Sequence, residues 1–281
     1  MKNKKISTIV LALIFAAGLA LLLYPTVSDV WNKMHQSRAI VQYTRQVETL
    51  DPARFADLWA QAEAYNRTLL DNPDRFQDPE VQLAACEQLL VVSDTDVIGT
   101  LEIPGIGVTL PIYHGTSEGV LQVGVGNVEG SSLPTGGAGT HCVLSGHRGL
   151  PSARLLTDLD DLIVGDTFTL TVLDRTMTYQ VDQILTVLPY EMEALAIDPQ
   201  QDYCTLVTCT PYGINTHRLL VRGRRVDGAA AAQPAGDSAP AAAALTADAV
   251  PVPPAAVAAW LLAPFAVAAA VVLFVKLRKK N

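Results

Sequence analysis

Three residues in this chain have the types and settings that acyl transfer needs: Cys209, His147 and Arg218. Cys209 ends the β-type run Tyr203-Cys204-Thr205-Leu206-Val207-Thr208-Cys209 and stands before Thr210-Pro211-Tyr212-Gly213, a turn signal. A strand there would deliver a thiol to the mouth of a turn. His147 lies in Leu144-Ser145-Gly146-His147-Arg148-Gly149, and Arg218 follows Cys209 by nine positions. A thiolate attacks a carbonyl carbon, an imidazole carries the proton to and from the exchanging amine, and a guanidinium stabilises the developing oxyanion.

These groups must be positioned by the elements around them. If the segments flanking the turn pair as an antiparallel hairpin centred on Gly213-Ile214, Cys209 and Arg218 become cross-strand neighbours. Short β-type runs separated by Gly, Pro and Asn fill the chain from Val97 onward. The pattern predicts strands over 97–103, 108–113, 140–144, 167–172, 177–188, 203–209 and 219–226, a frequency that suggests a closed or nearly closed barrel. Residues 153–162 read as a short helix crossing between strands. Upstream, 30–49, 52–70 and 80–90 have helical composition, with Asp51 and Asp78 as caps before Pro52 and Pro79.

Parity sorts the cysteines. Cys142 precedes His147 by five positions and Cys204 precedes Cys209 by five, so each should face away from its functional neighbour. If the two strands run parallel with His147 level with Cys209, Cys142 and Cys204 lie near each other, and a disulfide between them stays open. Cys86 reads as buried filler. No Cys or His pair has ordinary zinc-ligand spacing, and the glycines of Gly124-Val125-Gly126 and Gly136-Gly137 read as turn punctuation rather than a phosphate loop.

Two uncharged apolar runs lie near the ends, at 6–24 and 255–275, each close to the roughly 20 residues that span a bilayer as a helix. Lys2, Lys4 and Lys5 flank the first, and Lys276, Arg278, Lys279 and Lys280 the second. Basic outer flanks put both tails, 1–5 and 276–281, in the cytoplasm, with everything between outside. The first run is followed by no small-x-small cleavage site, which favours an anchor over a removable signal. Of the chain's 20 basic residues 13 remain between the runs, against all 28 acidic ones, a net charge of −15. That argues against nucleic-acid binding. Residues 228–254, rich in Ala and Pro, read as a flexible linker to the second anchor.

Taken together, these motifs resemble those of sortases. Thr205-Leu206-Val207-Thr208-Cys209 with Arg218 is similar to the active-site signature, and His147 sits in a segment that matches their histidine motif. Gly115-Thr116-Ser117, Gly130-Ser131-Ser132-Leu133-Pro134, the run from His147 to Ala153 and Pro211 to Arg218 narrow the resemblance to class C, the pilin-polymerising sortases of Gram-positive cell surfaces. The resemblance covers roughly 65–226. It implies a mainly β fold: an eight-stranded barrel at 96–227, preceded by a helical and lid region at 29–95 and flanked by the two transmembrane helices. It implies cleavage of an LPXTG-like sorting signal between Thr and Gly, a thioester on Cys209, and transfer to a pilin lysine amine. His147 would be the acid/base, Arg218 the oxyanion or substrate-positioning residue, and Thr208 a substrate-positioning neighbour. No metal or organic cofactor is implied. The partners would be the membrane and pilin subunits carrying such signals.

Class C members often carry a lid whose Asp-Pro-aromatic tripeptide plugs the site. The matching place reads Asp78-Pro79-Glu80, without the aromatic. The expectation is a lid here, with Asp78 meeting Arg218 and Phe76 standing in for the missing ring. Rival readings are a sortase that anchors proteins to peptidoglycan, a cysteine peptidase using water, and a non-catalytic pilus-assembly scaffold.

Overall fold

A computed structural model describes residues 2–92 and 96–226. The predicted second anchor at 255–275, its linker and its tail lie outside the described residues. Contacts divide the chain into two units. The described part of the first runs to Trp31, and the second begins at Asn32.

Helix α1 runs Lys2–Glu48 without a break, although separate segments at 6–24 and 30–49 were expected. Pro25 lies inside it, where it cannot donate the backbone bond that other residues supply. Among the described residues it is the one helix long and apolar enough to cross a membrane. Helix α2 (Pro52–Leu69) starts as the sequence indicates, with Asp51 accepting from the Ala53 amide at 2.8 Å and Pro52 in the first turn. Its buried stripe of Leu58, Trp59, Ala62, Asn66 and Leu69 follows the helical repeat. Asn66 is polar in that stripe because it pairs with the barrel backbone, donating to the Leu133 carbonyl and accepting from its amide. Helix α3 (Pro79–Cys86) is shorter than predicted, and Asp78 precedes it without a side-chain capping bond.

Eight strands close a barrel: β1 (Val97–Ile103), β2 (Val108–His114), β3 (Val125–Asn127), β4 (Thr140–Ser145), β5 (Thr167–Val172), β6 (Arg175–Val187), β7 (Asp202–Thr210) and β8 (His217–Val226). Their order around the barrel is β1-β2-β3-β4-β7-β8-β6-β5. The fold is mainly β, as expected, and closure leaves no unpaired sheet edge. The pairs β2/β3 and β4/β7 are parallel and the rest antiparallel.

Two elements depart from the sequence reading. The glycines of 124–126 are not turn punctuation: Val125 and Gly126 belong to β3, and helix α4 (Glu118–Val123) precedes it. A side chain at Gly126 would bring a Cβ within 2.0 Å of the Gly115 carbonyl oxygen, so close strand approach requires glycine there. Over 153–162 the chain forms turns and one short 3-10 turn at Leu159–Asp161, instead of a helix.

The barrel interior is packed by Leu101, Ile112, Leu144, Phe168, Tyr179, Leu206 and their neighbours. Cys142 and Cys204 are register partners on β4 and β7, as the parallel reading predicted, and both are buried free thiols. Burial and the neighbouring Cys142 push the Cys204 thiol well above its ordinary pKa.

His141 is buried on β4, between the Ala196 carbonyl, 2.9 Å from Nδ1, and the Thr205 hydroxyl, 2.7 Å from Nε2. Burial pulls its pKa down to about 4. An unfolded chain therefore takes up a proton below the ordinary value of about 6.5 that the folded one refuses. Stability from this residue is complete above that value and falls as pH drops toward 4. His114, also lowered by burial, acts in the same direction, whereas the raised Asp202 acts in the opposite one. Urea unfolding at pH 7 and pH 4.5 should show His141→Gln losing about 2–3 kcal/mol less on acidification than the parent chain. Equal losses would show that His141 does not carry this dependence.

Candidate active site

Parallel strands end together, and this places the reacting groups. β4 and β7 run parallel from Thr140↔Asp202 to Ser145↔Val207, so their C-terminal ends share one rim of the barrel. Cys209 lies near the end of β7 and His147 two residues beyond β4. The register continues past the strand: the Gly146 amide donates to the Val207 carbonyl at 3.0 Å, which brings His147 level with Cys209. β8 returns antiparallel from the same rim and pairs Cys209 with Arg218, as the hairpin reading required. Gly213, at φ +72°, helps make the turn between them, and the Thr210-Pro211 peptide is cis.

The side-chain faces agree with parity. Cys204 and Leu206 pack in the main barrel core, whereas Val207, on the parity of Cys209, packs in a separate apolar cluster; Cys209 itself is half-buried. Thr208, expected beside a bound substrate, is 1% exposed, and its hydroxyl donates to the Gly146 carbonyl at 2.8 Å, a bond that holds the histidine segment. Arg218 donates through Nη1 to the carbonyls of Asn215 and His217, at 3.3 and 3.1 Å. Its remaining guanidinium donors have no hydrogen-bond partner among the described residues.

Two residues that sequence reasoning did not assign help build the site. Arg148 is nearly buried; it pairs with Asp160 and donates from Nη1 to Thr210 Oγ1 at 3.3 Å. It thus ties the histidine segment to the residue after Cys209. Glu118 opens α4 and places Oε2 3.8 Å from His147 Nε2. The Ser117-Glu118 pair, a cap followed by a first-turn acid, was the available signal for that helix start.

The lid residues fall differently from the expectation. Asp78 makes no ion pair with Arg218 among the described residues. Instead Arg75 is buried, donating to the Gly130 carbonyl at 2.7 Å and the Leu195 carbonyl at 2.6 Å, with its guanidinium 4.1 Å from the Phe76 ring centre. Phe76 packs against a second apolar cluster of Val143, Leu195, Val207 and Leu220. Val207 lies two residues before Cys209 and Leu220 two after Arg218, so this cluster borders the thiol on its own strand face. Gly130, at φ +80°, is required beneath it, since a Cβ there would fall 1.9 Å from the Arg75 carbonyl oxygen.

No group of three or more His, Cys, Asp and Glu suited to a metal ion occurs among the described residues. The arrangement offers a half-exposed thiol, a histidine level with it and an arginine with donors to spare, the set that acyl transfer through a thioester uses.

Comparison with known proteins points the same way. A family model described as the sortase domain matches residues 101–226. Sortase C1 from Streptococcus agalactiae, known from its crystal structure, is 48% identical with a TM-score of 0.63, the match covering 68% of this chain and 99% of that one. A Streptococcus pneumoniae sortase C, whose structure is described as bearing on catalysis and pilin substrate specificity, is 46% identical with a TM-score of 0.62, covering 68% and 97%. Sortase A from S. agalactiae serotype III (strain NEM316) is 32% identical over 128 residues, 44% of this chain, and the match spans about half of that protein, 51%. With its closed eight-stranded barrel and a near-complete match to sortase C1, the chain belongs to the sortase family of cysteine transpeptidases.

Proposed function

We propose that this chain is a pilin-polymerising transpeptidase, with Cys209, His147 and Arg218 as its catalytic residues. The observation that carries the proposal is the pairing of Cys209 with Arg218 across β7/β8, at the rim where β4 delivers His147. The Cys209 thiolate attacks the carbonyl carbon of Thr in an LPXTG-like signal, forming the S–C bond. Arg218 stabilises the oxyanion. The Thr–Gly C–N bond breaks as His147 gives its proton to the departing amine. A pilin lysine amine then attacks the thioester, His147 takes the amine proton, and Cys209 leaves as thiolate with an isopeptide bond formed. Likeness to sortase C structures, one described in terms of pilin substrates, supports lysine as the acceptor over a peptidoglycan amine.

In this reading the apolar stretch of α1 anchors the enzyme in the membrane, the barrel acts outside the cell and both termini are cytoplasmic. Arg75 and Phe76 form the closed lid, in place of an Asp78 contact. Incubating the chain with an LPXTG-type peptide should give an adduct that maps to Cys209 by mass spectrometry and is released by a lysine-bearing pilin segment as an amide-linked product. Cys209→Ala should give neither. Adduct release only as hydrolysed peptide, with pilin present, would favour a peptidase instead, and assembly by Cys209→Ala would favour a binding scaffold.

A further inference from the structure

A cleft of about 700 Å³ opens at the end of the barrel away from Cys209, between the last turns of α2 and the loop before β4. Thr140 and Asp202, the first register pair of β4 and β7, lie in it, whereas Cys209 is seven residues further along β7, roughly 20 Å at the rise of a strand. Its wall at 136–139 is almost without side chains. Gly136 has φ +64°, and a Cβ there would fall 2.9 Å from both Arg225 Nη1 and the Met177 sulfur, so glycine lets those groups reach the wall. Around Gly137, at φ +103°, the space is open.

The charges of the cleft do not balance. Its ionic side chains are Arg67, Arg175, Arg225, Glu63 and Asp202, three cations against two carboxylates. Asp202 is the floor: it accepts from the Gly137 amide at 2.7 Å and the Tyr179 hydroxyl at 2.9 Å, with Arg225 Nη1 3.7 Å away. Arg175 lies 4.0 Å over the Trp59 ring and reaches Glu63 at 3.4 Å. Arg67, exposed in the last turn of α2, has no hydrogen bond or ion pair among the described residues. The surplus cation therefore sits at the mouth, on a chain that is otherwise strongly acidic.

A guanidinium with its donors open matches a carboxylate through two parallel bonds. Glu63 and Asp202 would repel a dense polyanion, and the surplus positive charge disfavours a metal cation. The open backbone of the glycine wall suits the main chain of an extended peptide, and Leu70 and Met177 offer apolar contact beside it. We propose that this cleft binds an acidic peptide segment of a partner protein, with Arg67 pairing its carboxylate and the wall at 136–139 lying along its main chain. The site is separate from the rim that carries Cys209, so a partner could be held there while that rim stays open to a sorting signal.

Fluorescence anisotropy with the full chain in detergent micelles tests this, using a hexapeptide of alternating alanine and glutamate that carries an uncharged dye. It should bind saturably, and its glutamine counterpart should bind about fivefold more weakly or worse. Arg67→Ala should weaken the glutamate peptide by roughly fivefold, the upper end for an exposed ion pair, and leave the glutamine peptide unchanged. Ala138→Trp, at an exposed position in the wall, keeps every charge but fills the cleft, and should abolish binding of both. Unfolding midpoints equal to the parent's establish that both variants are folded. Transfer of a short LPXTG-type peptide by Arg67→Ala should match the parent, so loss of the cleft and loss of catalysis are read separately. No saturation by about 1 mM, equal affinity for the two peptides, or binding that Arg67→Ala and Ala138→Trp leave unchanged would each overturn the proposal.

Discussion

Replacing Arg218 with alanine is expected to lower kcat/KM for peptide transfer by about 10²–10³-fold, the cost of removing one oxyanion donor. The register holds Arg218 directly across from Cys209, and only Nη1 is engaged, by the carbonyls of Asn215 and His217. Those two bonds set the side chain's direction without using its other donors. In the proposed reaction, charge developing on the carbonyl oxygen of a Cys209-bound peptide would meet donors already in place and be stabilised without reorganisation. The loss should appear in both thioester formation and its resolution, since an oxyanion forms in each. Labelling of Cys209 by a small thiol reagent passes through no oxyanion and should change little. Arg218→Lys should recover only part of the rate, because an ammonium lacks the planar fork. If Arg218→Ala transferred peptide within threefold of the parent chain, the guanidinium would be a surface cation and the oxyanion role would pass elsewhere.

The pairing behind that result was legible because hairpin register depends on the turn, and Pro211, Gly213 and Asn215 mark the turn clearly. The Cys142–Cys204 neighbourhood followed from parity and a parallel pairing, both of which depend on the period of two in a strand. What sequence reading missed is what no period governs. α4 has six residues and β3 three, too short for either repeat to show above the glycines around them. With α4 went Glu118. The Arg148–Asp160 pair joins residues twelve apart through an irregular loop, so neither strand nor helix spacing points to it. Thr208 was assigned by its place in a motif, and the parity that turns Cys204 inward turns Thr208 inward as well.

The lid tests the same distinction between a motif and the contacts that replace it. Arg75 is 5% exposed and has two backbone carbonyls, but no carboxylate among the described residues, as its hydrogen-bond partners. Burial draws its pKa down to about 10, so it remains charged under ordinary conditions. The cation is held by its hydrogen bonds and by the Phe76 ring 4.1 Å away, and each charge-assisted bond contributes about 1.5–3 kcal/mol. Gly130 and Leu195 belong to the barrel domain's loops, so these bonds fasten the segment before α3 over the apolar cluster beside Cys209. Arg75→Ala removes both, and even a net shift of about 2 kcal/mol toward an open segment would raise the open population roughly 30-fold. The rate of Cys209 labelling by a bulky thiol reagent should rise by a similar factor. Cys86, Cys142 and Cys204 are buried, which leaves Cys209 as the group that reports. Phe76→Ala should act in the same direction, since it removes a half-buried ring packed against the cluster, with less at stake than the about 3 kcal/mol of a fully buried phenylalanine. Asp78→Ala should leave labelling unchanged, because its carboxylate makes no ion pair with Arg218. Acceleration by Asp78→Ala with no response to Arg75→Ala would return the latch to the Asp-Pro motif. Unchanged labelling in all three variants would mean that the segment does not limit access to Cys209.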